Sequence, residues 1–300
     1  MPKFLFLCVA ALLAAAPAAA ADLIVEAGSG YAIDATINGQ PVRLRVDLEA
    51  SGYIVLNPAA AARLGLHRSM LGSRTRIGPV RLDGSSKVAN VSIGGVAGNR
   101  RLVWIDRPVI DGADGVIGPA DMPYDRVTFA IGAPRDGEAA LEIPMAFARG
   151  FGLYVPLQLG EREFQFQFSL MKPFSLATAG AGAELATLYG GSWAGDALDQ
   201  VIEFDVVRPV RPMIFARPIS VQGLELRSLR VRTGDNRGNL SLPPEPDADP
   251  DELVVTGASR QRAAFVVHVG ADRLSRCSTI VWDNRTRHMF LHCLDARAAS

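Results

Sequence analysis

The residues best placed for chemistry lie in the stretch VDLEASGYIV, residues 46–55. Asp47 closes an alternating run, VRLRV, and stands two residues before Glu49. A pair of carboxyls that shares one proton can do acid–base work, one acting as base and the other as acid on the same water. Glu49 is the nearest second carboxyl and can point to the same side as Asp47. Such a pair, however, needs two carboxyls held in mirror-like positions around one water, and a flexible glutamate on the same turn rarely meets that demand. The favoured reading of Glu49 is a solvated or crowding side chain. That of Asp47 is an acceptor of backbone N–H groups where the chain turns.

Other candidates carry less. His67, His268, His288 and His292 lack metal-ligand spacing, and no Gly-x-Ser-x-Gly elbow with a usable partner occurs. Asp111, Asp114 and Asp121 are spaced like cation ligands, but Asp114 precedes Val116-Ile117-Gly118 and reads as a turn residue. No metal and no cofactor is expected.

The elements that position Asp47 are written twice in the chain. INGQPVRLRVDLEASGYIVLNPAAAARLGL (37–66) parallels LQLGEREFQFQFSLMKPFSLATAGAGAELATLYGG (157–191). In each, a polar turn leads into a strand of period two, with Val42, Leu44 and Val46 matching Phe164, Phe166 and Phe168. Asp47 then falls on Ser169, Leu48 on Leu170 and Glu49 on Met171. An apolar strand and a short helix follow, Ala59 to Leu64 in one copy and Ala181 to Leu188 in the other. The ends match too: Val116-Ile117-Gly118 corresponds to His268-Val269-Gly270.

On these residues the first half resembles the retropepsin and pepsin clan of aspartic proteases, in an exported bacterial branch with two such lobes in one chain. Members carry Asp-Thr-Gly-Ala-Ser after an alternating strand, then an Ala-rich helix ending in Leu-Gly and an apolar-apolar-Gly motif. Val46, Asp47, Ala50, Ser51, Leu64, Gly65 and Val116-Ile117-Gly118 fit. The resemblance spans roughly residues 30–131 and, more weakly, 153–293. It implies a mainly β fold of two related pepsin-like or retropepsin-like β-barrel lobes with a central cleft.

The resemblance also marks what has changed. The family places one aspartate in each lobe, and here the second position is Ser169, which can only hydrogen-bond. With no second carboxylate beside it, Asp47 should be an ordinary ionised carboxylate. The family's threonines, which bond across the cleft floor, are both leucine, Leu48 and Leu170. Replacing both partners of a buried bond is far less costly than replacing one. The glycines that allow close approach of a substrate backbone are Glu49 and Met171, so the cleft floor should be crowded.

The rest of the chain sets the context. MPKFLFLCVAALLAAAPAAAAD has the layout of a secretory signal peptide ending at Ala20 or Ala21, which implies a periplasmic or secreted protein. No later stretch is long and apolar enough to span a bilayer. Balanced charge, 31 basic and 31 acidic residues, argues against a nucleic-acid partner. Cys277 and Cys293 flank DNRTR symmetrically, so an antiparallel hairpin would oppose them for a disulfide. The expected organisation is a signal peptide (1–21), an N-terminal lobe (22–135), a linker (136–152) and a degenerate C-terminal lobe (153–300) with an exposed acidic, proline-rich loop at 233–260. The expected function is a catalytically impaired pseudoprotease that binds a peptide or protein. The alternatives are an active endopeptidase pairing Asp47 with a non-standard acid, and a structural envelope protein with an empty cleft.

Overall fold

The computed structural model describes residues 22–50, 52–67, 72–235, 240–244 and 262–294. The signal segment, Ser51 and most of the acidic loop lie outside these residues. Strand accounts for 55% and helix for 11% of the described residues, so the fold is mainly β, as expected.

The first half holds β1 (Asp22–Glu26), β2 (Ala32–Ile37), β3 (Gln40–Val46), β4 (Ile54–Leu56), α1 (Pro58–Arg63), β5 (Gly72–Ile77), β6 (Val80–Ile93), β7 (Val96–Ile105), β8 (Gly115–Ile117) and β9 (Arg126–Ala130). After them come β10 (Ala139–Pro144) and β11 (Ala146–Ala148). The second half holds β12 (Gly152–Leu159), β13 (Arg162–Phe168), β14 (Leu176–Ala177), α2 (Ala179–Tyr189), β15 (Gly191–Trp193), β16 (Leu198–Glu203), β17 (Val206–Val221) and β18 (Leu224–Arg232). It ends with β19 (Val266–Val269), α3 (Ala271–Leu274), β20 (Cys277–Asp283) and β21 (His288–Cys293).

Alternation makes the strands that lead to the two turns. In β3, Val42, Leu44 and Val46 are buried while Arg43 faces out, and in β13 Phe164, Phe166 and Phe168 are fully buried. Period-two side chains give each strand one core face. The six strands β2-β3-β8-β4-β7-β6 close into a barrel through the β2–β6 pairing, with β5 added beyond β6. The second half repeats this order as β12-β13-β19-β14-β18-β17, with β16 pairing β17.

Register repeats with it. Val46 pairs Ile117 in a parallel ladder, and Phe168 pairs Val269 in the same way. The Asp47 N–H donates to the Ile117 carbonyl at 3.0 Å, and the Ser169 N–H to the Val269 carbonyl at 3.0 Å. The apolar-apolar-glycine motif therefore holds each turn from beneath. A Cβ on Gly270 would lie 2.5 Å from the Phe174 carbonyl carbon, so only glycine fits this approach.

A third sheet, β1-β9-β20-β21-β10, takes strands from both halves. Residues 136–152, read from their glycine, proline and charge as a linker, instead carry β10 and β11. The reason lies in Leu141 and Ile143, which alternate with outward residues and give β10 a buried face to pair with β21. The glycines and prolines punctuate the ends of these strands rather than dissolving them.

Cys277 and Cys293 are disulfide-bonded and paired across β20–β21. The bond closes a short loop, so replacing both cysteines with serine should cost about 2–4 kcal/mol. Urea unfolding of the oxidised protein beside the variant measures this, and equal midpoints would show that the bond adds nothing. Among the described residues no helix is long and apolar enough to cross a membrane.

Candidate functional site

The two turns meet. Ser169 Oγ donates to Asp47 Oδ2 at 3.0 Å, and both residues are buried, Asp47 3% exposed and Ser169 fully enclosed. Ser169 Oγ in turn accepts the N–H groups of Met171 and Lys172 at 3.1 and 3.2 Å. Donating once and accepting twice, the hydroxyl is fully committed, which leaves it unsuited to act as a nucleophile.

Leu48 and Leu170 both turn toward the core. Leu48 is buried in the core, and Leu170 is half-buried and packed against it. Met171 is half-buried and lines the cleft.

Glu49 departs from its expectation. It is neither solvated nor a mere obstruction: Lys172 Nζ donates to its Oε1, and His268 Nδ1 lies 2.8 Å from its Oε2. Glu49 belongs to the first half, Lys172 and His268 to the second, so this cluster ties the halves at the cleft floor. Burial alone would push the Glu49 carboxyl up, but Lys172 and His268 outweigh it and hold it down at about 2. Glu49 is thus an ionised acceptor that has no proton to give. Burial pushes the His268 imidazole down, against the pull of Glu49.

Asp47 departs as well. It was expected to be an ordinary ionised carboxylate, but burial, with the negative charge of Glu49 nearby, raises it to about 7. Lys172 and the Ser169 hydroxyl oppose this without overcoming it. No second aspartate stands beside it, but Glu49 and burial supply the upward push.

This gives a pH prediction. The folded pKa of Asp47 lies above its ordinary 3.8, so the stability it contributes is fully present below pH 3.8 and is lost as pH rises through about 7. Asp47→Asn keeps the shape and removes the charge. Thermal melting should fall less steeply between pH 4 and 7 in this variant than in wild type, and parallel curves would refute the assignment.

The cleft has a volume of about 720 Å³ and contains Asp47, Glu49, Lys172 and His268 among its lining residues. Across it, Ile77 and Leu82 of the β5–β6 hairpin meet Phe204 and Val206 of the β16–β17 hairpin in a second small apolar cluster. Each half therefore contributes a hairpin to the walls.

The remaining candidates take separate places in the fold. Asp114 accepts the Arg43 N–H at 2.9 Å and pairs with Arg63, which is the turn role read from the sequence. Asp111 lines the cleft, while Asp121 is half-buried, and burial raises its carboxyl to about 6 against Arg100 and Arg149. His67 is exposed, and His288 and His292 lie on β21 in the third sheet.

Sequence reasoning missed Lys172 and set His268 aside. Each carried a signal. His268 stands where the first half has Val116, a polar intruder in an apolar motif, and Lys172 stands where the first half has Ala50.

Comparison of the sequence with family models and with curated proteins finds no match.

Proposed function

We propose that this chain is an exported, aspartic-protease-like protein of two lobes whose catalytic floor is disabled, and that its cleft binds a peptide or protein. The observation that carries the reading is the Asp47–Ser169 hydrogen bond. A turn aspartate faces the equivalent turn of the other half across 3.0 Å, and the group it meets is a hydroxyl. A water there would find one carboxyl, with no acid placed to protonate the carbonyl oxygen or the leaving group. The strand order common to both halves supports the two-lobe part of the reading. The disulfide is compatible with an oxidising compartment outside the cytoplasm.

One observation favours the second reading, an endopeptidase that pairs Asp47 with a non-standard acid. Burial gives Asp47 a proton affinity suited to acid–base work near neutrality, about 7. Glu49 does not supply the partner, since Lys172 and His268 hold it ionised.

Binding is tested by equilibrium dialysis of purified mature protein against randomised nonapeptide pools, with retained peptides identified by mass spectrometry. Retention of intact peptides is expected. Failure to retain any would leave the cleft without a ligand and sink the binding part of the proposal.

A further inference from the structure

β19 puts an imidazole where the first half has a valine. The strand lies between β13 and β14, with His268 paired to Gln167 on one side and to Leu176 on the other. Val267 and Val269 are fully buried, so alternation turns Val266 and His268 to the cleft. In the first half β8 lies between β3 and β4 in the same way, and its cleft residue is Val116. A polar ring set in such a place costs desolvation unless its nitrogens find partners.

One nitrogen has its partner. His268 Nδ1 lies 2.8 Å from Glu49 Oε2, while Lys172 Nζ donates to the other Glu49 oxygen. A carboxylate held by an ammonium can only accept, so Nδ1 carries the ring proton. Burial favours the neutral ring, which leaves a lone pair on Nε2. Among the described residues no hydrogen bond or ion pair engages Nε2. The side chain is 16% exposed and lines the cleft, so a ligand can reach this lone pair.

The surroundings limit which donor suits it. Lys172 and Arg232 act on the ring, and Arg74, Arg76 and Arg262 line the same cleft, so a cationic donor would meet like charge. A carboxylate at neutral pH brings no proton and would face Glu49. An amide brings an oxygen and a second N–H that apolar walls leave unpaired, whereas a hydroxyl brings one donor. Val55, Val103, Ile105 and Val116 line the cleft as well and favour an apolar body behind that donor.

We infer that His268, oriented by Glu49, reads the ligand of this cleft, its Nε2 accepting a hydrogen bond from a neutral hydroxyl on an apolar body, as on a threonine or tyrosine side chain. This rests on the binding reading above and names its ligand class.

The test uses mature protein at pH 7.5 and nonapeptide pools fixed at the central position as threonine, valine, tyrosine or phenylalanine. Each pair differs chiefly by one hydroxyl. The threonine pool should bind about fivefold more tightly than valine, and tyrosine more tightly than phenylalanine by a similar factor, the effect of one neutral hydrogen bond. His268→Val, which copies Val116, should abolish both preferences and leave valine and phenylalanine binding unchanged. Nitrogen-15 spectra of unliganded wild type check the premise without a variant, and should show the His268 ring protonated on Nδ1 and not on Nε2. Equal binding within both pairs overturns the inference and leaves the peptide-binding proposal standing. A preference that survives His268→Val, or a proton found on Nε2, overturns it in the same way. If no pool binds, the peptide-binding proposal fails and this inference with it.

Discussion

Glu49→Ala should destabilise the protein by about 3 kcal/mol at pH 7.5, at the low end of the cost of breaking a buried ion pair. The Lys172 ammonium would lose its bonded acceptor, and His268 Nδ1 would lose its 2.8 Å partner. Both side chains are only slightly exposed, 14% for Lys172 and 16% for His268, so water replaces the lost contacts poorly. For a chain of this size the melting temperature should drop roughly 6–12 °C. The pH dependence gives a second handle. The folded pKa of Glu49, about 2, lies below its ordinary 4.5. Its contribution is therefore present above pH 4.5 and lost as pH falls toward 2. Wild type and variant should accordingly converge in acid. A variant that melts with wild type at pH 7.5 would show that the cluster does not hold the halves together.

Ser169→Asp is the simplest way to place a second carboxyl beside Asp47, and it should give an unstable and inactive protein. The new carboxyl would enter a fully enclosed position beside Asp47. Two carboxyls at that separation cannot both ionise, so one must keep its proton as pH rises. Stability should fall above neutrality by several kcal/mol relative to wild type, and recover in acid where both are neutral. Turnover should stay absent at every pH, because Glu49, Lys172 and His268 still occupy the floor beside the pair. Melting from pH 4 to 8 checks the first part, and peptide hydrolysis checks the second. A stable Ser169→Asp protein that cleaves peptides would mean that the serine alone disables the site.

The sequence carried much of this fold, because alternation and repetition are local signals. Period two in VRLRV and EFQFQF placed β3 and β13, and the paired motifs predicted that Asp47 and Ser169 would face each other. The β10 strand was hidden because glycine, proline and charge around it outweighed the short alternation of Leu141 and Ile143. The site was legible in part. Asp47, Leu48, Glu49 and their counterparts could be named from one repeat aligned on another. The ion-pair cluster could not, since Lys172 and His268 lie 123 and 219 residues from Glu49 and meet it only when the halves close. The protonation of Asp47 is hidden from the sequence for a related reason: burial on folding is the largest cause that raises its carboxyl, with Glu49 adding to it.

The central claim is that the floor built by Asp47 and Ser169 performs no peptide hydrolysis. Its most direct test is extended incubation of mature wild type and Asp47→Asn with a broad peptide library from pH 3 to 8, read by mass spectrometry for new termini. No new terminus should accumulate with wild type beyond the level seen with Asp47→Asn. Cleavage by wild type that disappears in Asp47→Asn would contradict the account and make the chain an aspartic endopeptidase with an unrecognised second acid.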